Sequence, residues 1–210
     1  MKTKKILLII FWTILIGVSC WFYFDNVIVY LLGYETHEAN FFANQTWFVA
    51  HIVGASCSLL LGPFQFWKSI RIKYVRFHRI SGYVYITGSL IAAASALRLS
   101  LIFNCVGCRY SLIPLSLLFF FTTALALYAI KKRNIEAHRQ FMVRSYTCSL
   151  AFVFVRLYQI VPIWFVFEPI GNPEVQNVVV EWTFSILPLL LVEIFMIWLP
   201  SLTTRRISAR

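Results

Sequence analysis

Charge is scarce in this chain. Of its 210 residues 13% are Asp, Glu, Lys or Arg and 60% are hydrophobic, whereas a soluble domain carries about 25% charged residues. A water-solvated globular fold is therefore excluded. Acid is scarcer still, with eight Asp and Glu against nineteen Lys and Arg. No Gly-rich phosphate loop, Ser/His/Asp set or metal-ligand quartet is recognisable, so the common signatures of nucleotide, acyl-transfer and zinc chemistry are missing. No linker divides the chain either, and a single domain over residues 1–210 is expected.

What fills the sequence is apolar runs long enough to cross a hydrocarbon core of about 30 Å at about 1.5 Å rise per residue. Six are read, at residues 6–24, 46–67, 80–103, 110–130, 141–167 and 182–200. The fold class expected is all-α, a polytopic six-helix transmembrane bundle. The first run continues past Cys20 through Trp-Phe-Tyr-Phe, and Gly17 stands where a lipoprotein signal carries Leu, so an uncleaved first span is expected.

A formal charge of +11 would suggest nucleic acid in a soluble protein. Here the basic residues sit in short segments between the runs: Lys2, Lys4 and Lys5; Lys68, Arg71, Lys73, Arg76 and Arg79; Lys131, Lys132, Arg133 and Arg139; and Arg205, Arg206 and Arg210. Alternate threading puts all four segments on one side and leaves only Arg109 on the other. That asymmetry predicts cytoplasmic N and C termini in a cell membrane, a bacterial plasma membrane by expectation. Asp25, Glu35, Glu38, Glu168, Glu174 and Glu181 fall on the outer side.

Ionisable groups inside a span cost about 2.5–3.5 kcal/mol on insertion scales, so each asks for a partner or a role. By residue counting Arg144 lies about 6 Å and Glu193 roughly 10 Å from the inner edge on consecutive antiparallel spans, which predicts an ion pair. Arg156, Arg98 and His51 share an outer depth, either as a cluster for an anionic group or as arginines snorkelling to headgroups. Two polar stripes follow helical spacing: His138, Met142, Ser145, Ser149, Phe152, Arg156 and Gln159 on the fifth span, and His51, Ala55, Ser58, Gly62 and Gln65 on the second. Close helix packing explains such stripes as well as a ligand does.

His51-Ile-Val-Gly, Leu61-Gly-Pro-Phe-Gln-Phe66, His78-Arg-Ile-Ser-Gly-Tyr-Val-Tyr85 and His138-Arg-Gln-Phe-Met-Val-Arg-Ser-Tyr146 together resemble DUF2306, an uncharacterised family of predicted membrane proteins. The resemblance covers roughly residues 46–160. It implies the helical bundle and these site candidates, and it supplies no reaction.

Three functional classes remain open. A bundle binding a small ligand is the leading one, with b-type haem the most concrete case: His78 and His138 as axial ligands, and Arg79 and Arg139 neutralising propionates. His51 and Gln65 then belong to a separate polar stripe. Quinone or lipid is the other ligand considered, and headgroup contact is the plain alternative for both histidines. A thiol-disulfide oxidoreductase using Cys105-Val-Gly-Cys108 is the second class, although an exchange relay normally has another thiol pair and no other external cysteine exists. Passive loop stapling is the simpler role for that pair. A transporter or assembly scaffold is the third. His37 between Glu35 and Glu38 reads as a solvated loop, so no metal site is expected.

Overall fold

The computed structural model describes residues 2–28, 44–160 and 164–203. Helix α1 (Lys2–Phe22) ends in a π-helical turn, Tyr23–Ile28. There follow α2 (Gln45–Phe66), the short α3 (Lys68–Lys73), α4 (Val75–Ile102) and α5 (Val106–Lys131). Then come α6 (Ile135–Ser149), α7 (Ala151–Ile160), α8 (Pro173–Glu193), a π-helical stretch Ile194–Trp198 and α9 (Leu199–Thr203). Among the described residues no strand occurs. Among the described residues four stretches are long and apolar enough to cross a membrane: α2, α4, α5 and residues 173–202.

The boundaries follow local chemistry. Helix α5 stops in a Schellman-type motif. Arg133, at φ 57°, is in the left-handed region, Asn134 N–H reaches Ala129 O at 2.9 Å and Arg133 N–H reaches Ile130 O at 3.0 Å. Asn134 then caps α6 by accepting the Ala137 N–H at 3.0 Å. Asn172 caps α8 in the same way, ahead of Pro173 at the first helical position. Helix α8 thus begins nine residues before the expected sixth run, and α4 begins at Val75, which sets His78 and Arg79 inside the helix.

A larger correction concerns the fifth run, read as one span over 141–167. Its helix starts at Ile135, breaks at Leu150 and resumes as α7, which ends at Ile160. At this point Ser149 Oγ donates to Tyr146 O at 2.8 Å, and the Leu150 N–H shares that carbonyl at 3.1 Å while also reaching Thr147 O. Side chains that bond back to the preceding turn bend helices.

Helices α2, α4, α5 and α6 form the packed centre, with α1 against α2 and α8 against α5 and α6. The centre is built from small and hydroxylic residues. Ser58, Ser89, Ser111, Thr123 and Ser145 are fully buried, whereas Ile14, Phe121, Leu125 and Leu187 point outward. This reversal of the soluble pattern belongs to a lipid-facing surface, where bulk apolar groups need no burial and small residues let backbones approach. Helices α2 and α4 approach backbone to backbone: a Cβ added at Gly54 would sit 2.5 Å from Gly88 O, and one at Gly88 would sit 2.6 Å from Cys57 Cβ.

That crossing predicts that Gly54→Val and Gly88→Val each overpack the interface and destabilise the protein by about 1–3 kcal/mol. Gly17, with nothing near its added Cβ, should accept alanine without loss. Thermal unfolding in detergent measures all three, and unchanged melting of the Gly54 and Gly88 variants would contradict the crossing.

Candidate functional site

Polar side chains gather at two depths, and a sizeable cavity opens at one of them. At the basic end, His138 Nδ1 lies 2.8 Å from Ala126 O, which ties its ring to α5. The Nδ1 of His78 is buried without a hydrogen-bond partner, and its imidazole has Arg71, His138 and Arg79 as charged or titratable neighbours. Arg79 and Arg139 are exposed. Arg144 forks onto Glu193, Nε to Oε1 at 2.5 Å and one terminal nitrogen to Oε2 at 2.9 Å, with the two side chains 17% and 33% exposed. The planar guanidinium matches both carboxylate oxygens, the strongest form such a pair takes.

The slot expected for haem above His78 and His138 is filled. Gln65 lies over Gly82, its Oε1 3.1 Å from where a Cβ would be, and donates to Ser81 Oγ at 2.8 Å. Above Met142, Ser145 Oγ is shared by Tyr85 OH at 2.9 Å and Thr123 Oγ1 at 2.7 Å, and Tyr85 is completely buried. The small residues read as leaving a gap instead receive large polar side chains, which satisfy one another as a dry interior requires. Gln65 is part of this packing. Haem binding by His78 and His138 therefore gains no support, and among the described residues no three His, Cys, Asp or Glu side chains stand together as a metal site.

The room is at the other end. A cavity of about 680 Å³ opens between α2, α4, α5, α7 and the start of α8. Its wall is mostly apolar, from Phe48, Leu59, Phe103, Leu112, Leu115 and Phe119, with polar groups from His51, Asn104, Tyr158, Asn177 and Glu181. Leu59 and Phe119 stand about four turns into their helices, so the cavity runs from the helix ends roughly 20 Å into the bundle. His51 is oriented by an Nδ1 contact with Ala92 O at 3.0 Å, and Tyr158 OH accepts from Gln176 Nε2 at 3.0 Å. Cys105 and Cys108 are disulfide-bonded, with Cα atoms 5.2 Å apart, and both line the same cavity.

Of the residues expected to share the outer depth, His51 lines this space. Arg98 is exposed on α4 and is absent from the wall, and the side chain of Arg156 lies outside the described residues, as do those of Phe152 and Gln159. His37, Glu35 and Glu38 also lie outside them. A second hollow, of about 890 Å³, is a groove on the α2 and α4 surface lined by Val49, Val53, Val84 and Ile91, with no acid or base in its wall.

The family model for "Predicted membrane protein (DUF2306)" matches residues 48–197, an interval that holds the fork of Arg144 on Glu193 and the cavity wall apart from Phe22 and Val27. The chain belongs to that family. No curated protein and no solved structure matches it.

For this DUF2306 protein, sequence reasoning missed most of the cavity wall. Asn104, Tyr158 and the Asn177 and Glu181 pair come from three separated stretches, and helical periodicity links only that pair, at i and i+4 on α8. A signal did exist in Glu181, an acid one residue before the expected sixth run. The free thiol Cys148, buried on the wall, was legible only as a small hydrophobe.

Arg144→Ala and Glu193→Ala should each destabilise the bundle by roughly 2 kcal/mol, since either leaves its partner charged at the edge of hydrocarbon. The double variant should recover most of that loss. Strict additivity of the two single effects in a thermal-unfolding cycle would contradict the pair.

Proposed function

We propose that this protein is a six-span membrane protein with cytoplasmic termini that holds an isoprenoid quinone in the cavity at its outer end. The six crossings are α1, α2, α4, α5, the α6 and α7 pair taken together, and α8 with its extension. Support for the orientation is the segregation of Lys and Arg described above. Both the Arg144 fork and the exposed Arg79 and Arg139 then sit at the cytoplasmic edge, where His78 and His138 meet the headgroup region.

The observation that carries the ligand reading is the cavity itself. Its volume of about 680 Å³ falls within the range of about 300–1,000 Å³ typical of small-molecule sites, and its few polar groups stand in an apolar wall as such sites require. A quinone ring needs flat apolar contact on its faces and polar partners at its two oxygens. Phe48, Leu112 and Leu115 suit the first need, and His51 and Asn104 the second. The inner reach of the cavity, to Leu59 and Phe119, suits an apolar tail.

Protein purified from its native membrane and extracted with organic solvent should release quinone in near-stoichiometric amount by mass spectrometry. Ala55→Phe, which places a ring in the cavity, should lower that content about tenfold, a loss of about 1.4 kcal/mol, while melting stays close to wild type. Phospholipid alone in the extract, with no response to Ala55→Phe, would overturn the quinone reading.

A further inference from the structure

The two sulfurs on the cavity wall differ in position. Cys108 is 2% exposed and Cys105 is half-buried, as the residue that precedes α5 and caps it. Cys105 Sγ accepts the Cys108 N–H at 3.2 Å. A thiolate released at Cys105 would therefore keep a hydrogen-bond donor and lie at the positive end of a 26-residue helix, both of which make it a good leaving group in thiol exchange. Meanwhile a bridge spanning three residues at a helix start restrains very little chain, because the stabilisation from closing a loop grows with the length closed. Stapling accounts poorly for it.

Resting on the quinone reading above, we infer that Cys105 and Cys108 are a redox pair that passes electrons from thiols at the outer face to the quinone in the cavity. A substrate thiolate attacks Cys105 Sγ, which breaks the Cys105–Cys108 bond and forms a mixed disulfide, and Cys108 takes up the proton. The second substrate thiol then attacks the substrate sulfur of that mixed disulfide, the bond to Cys105 breaks, and Cys105 takes up the proton that this thiol releases. The substrate leaves as a disulfide, oxidised by two electrons, and the pair is left as a dithiol. In the second half the dithiol gives two electrons and two protons to the quinone: two S–H bonds break, one S–S bond forms, and both quinone carbonyls become hydroxyls. Cys105, nearer the aqueous end, suits the first half. Cys108, buried on the wall, suits the second. No further thiol pair is needed, because the quinone replaces it as the oxidant.

The test uses the full chain in detergent, reduced with dithiothreitol, freed of it by gel filtration, and mixed without oxygen with a short-chain ubiquinone analogue. Binding is followed separately by quenching of tryptophan fluorescence. The expected result is one quinone reduced per chain, with loss of alkylatable thiols at Cys105 and Cys108 alone by peptide mass. Cys105→Ser and Cys108→Ser should each abolish the reduction while still binding the analogue, and Cys20→Ser, away from the cavity wall, should leave it unchanged. The reduced wild-type chain is itself the reactant, so the result does not depend on how the variants fold. An analogue that binds while the dithiol stays reduced overturns the redox pair and spares the quinone site. An analogue that does not bind overturns both.

Discussion

Hydrocarbon offers no hydrogen bonds, and that single deficit governs how this protein is built. A polar group taken into the bundle costs several kcal/mol in lipid unless another part of the chain satisfies it. The hydroxyls answer by bonding back to their own helix, as Ser116 does to Leu112 O, Thr122 to Leu118 O and Thr147 to Val143 O. Tyr85, Thr123 and Ser145 answer across three helices. Arg144 and Glu193 meet the same demand with charge.

This constraint also explains which features were legible. Helix identity could be read because lipid imposes length and apolarity on every span, and the Arg144 and Glu193 pairing could be read because depth along two antiparallel helices is a one-dimensional count. The break at Leu150 was hidden: Thr147 and Ser149 look the same whether they bond back or reach across an interface. The gap expected beside Ser81, Gly82 and Ser145 was misread for a related reason. Small residues in a span predict close approach, but what approaches, Gln65 and Tyr85 here, depends on rotational settings that no spacing rule gives. The cavity wall was least legible, since it gathers helix ends from across the whole chain.

The two ends of the bundle divide their labour along the same lines. The basic end is dense: its histidines and arginines touch backbone carbonyl, one another's field or the membrane surface, and its interior is filled by Gln65, Tyr85 and Ser145. At the opposite end lies a space whose wall mixes aromatic rings, a few polar groups and a disulfide. A membrane protein that closes one end tightly and leaves the other hollow has placed its chemistry in the hollow. In the proposed reading a quinone and the cysteine pair give that hollow a tenant and a reactant, one from the bilayer interior and one facing an oxidising outer side.

The orientation of that hollow end is the claim on which the account turns. Fusing a reporter that is active only outside the cytoplasm after residues 35, 107 and 175, and again after residues 74, 135 and 208, measures it directly. The account predicts activity for the first three fusions and none for the last three. Activity at 74 and 135 with silence at 107 would put Cys105, Cys108 and the cavity mouth in the cytoplasm, and would contradict it.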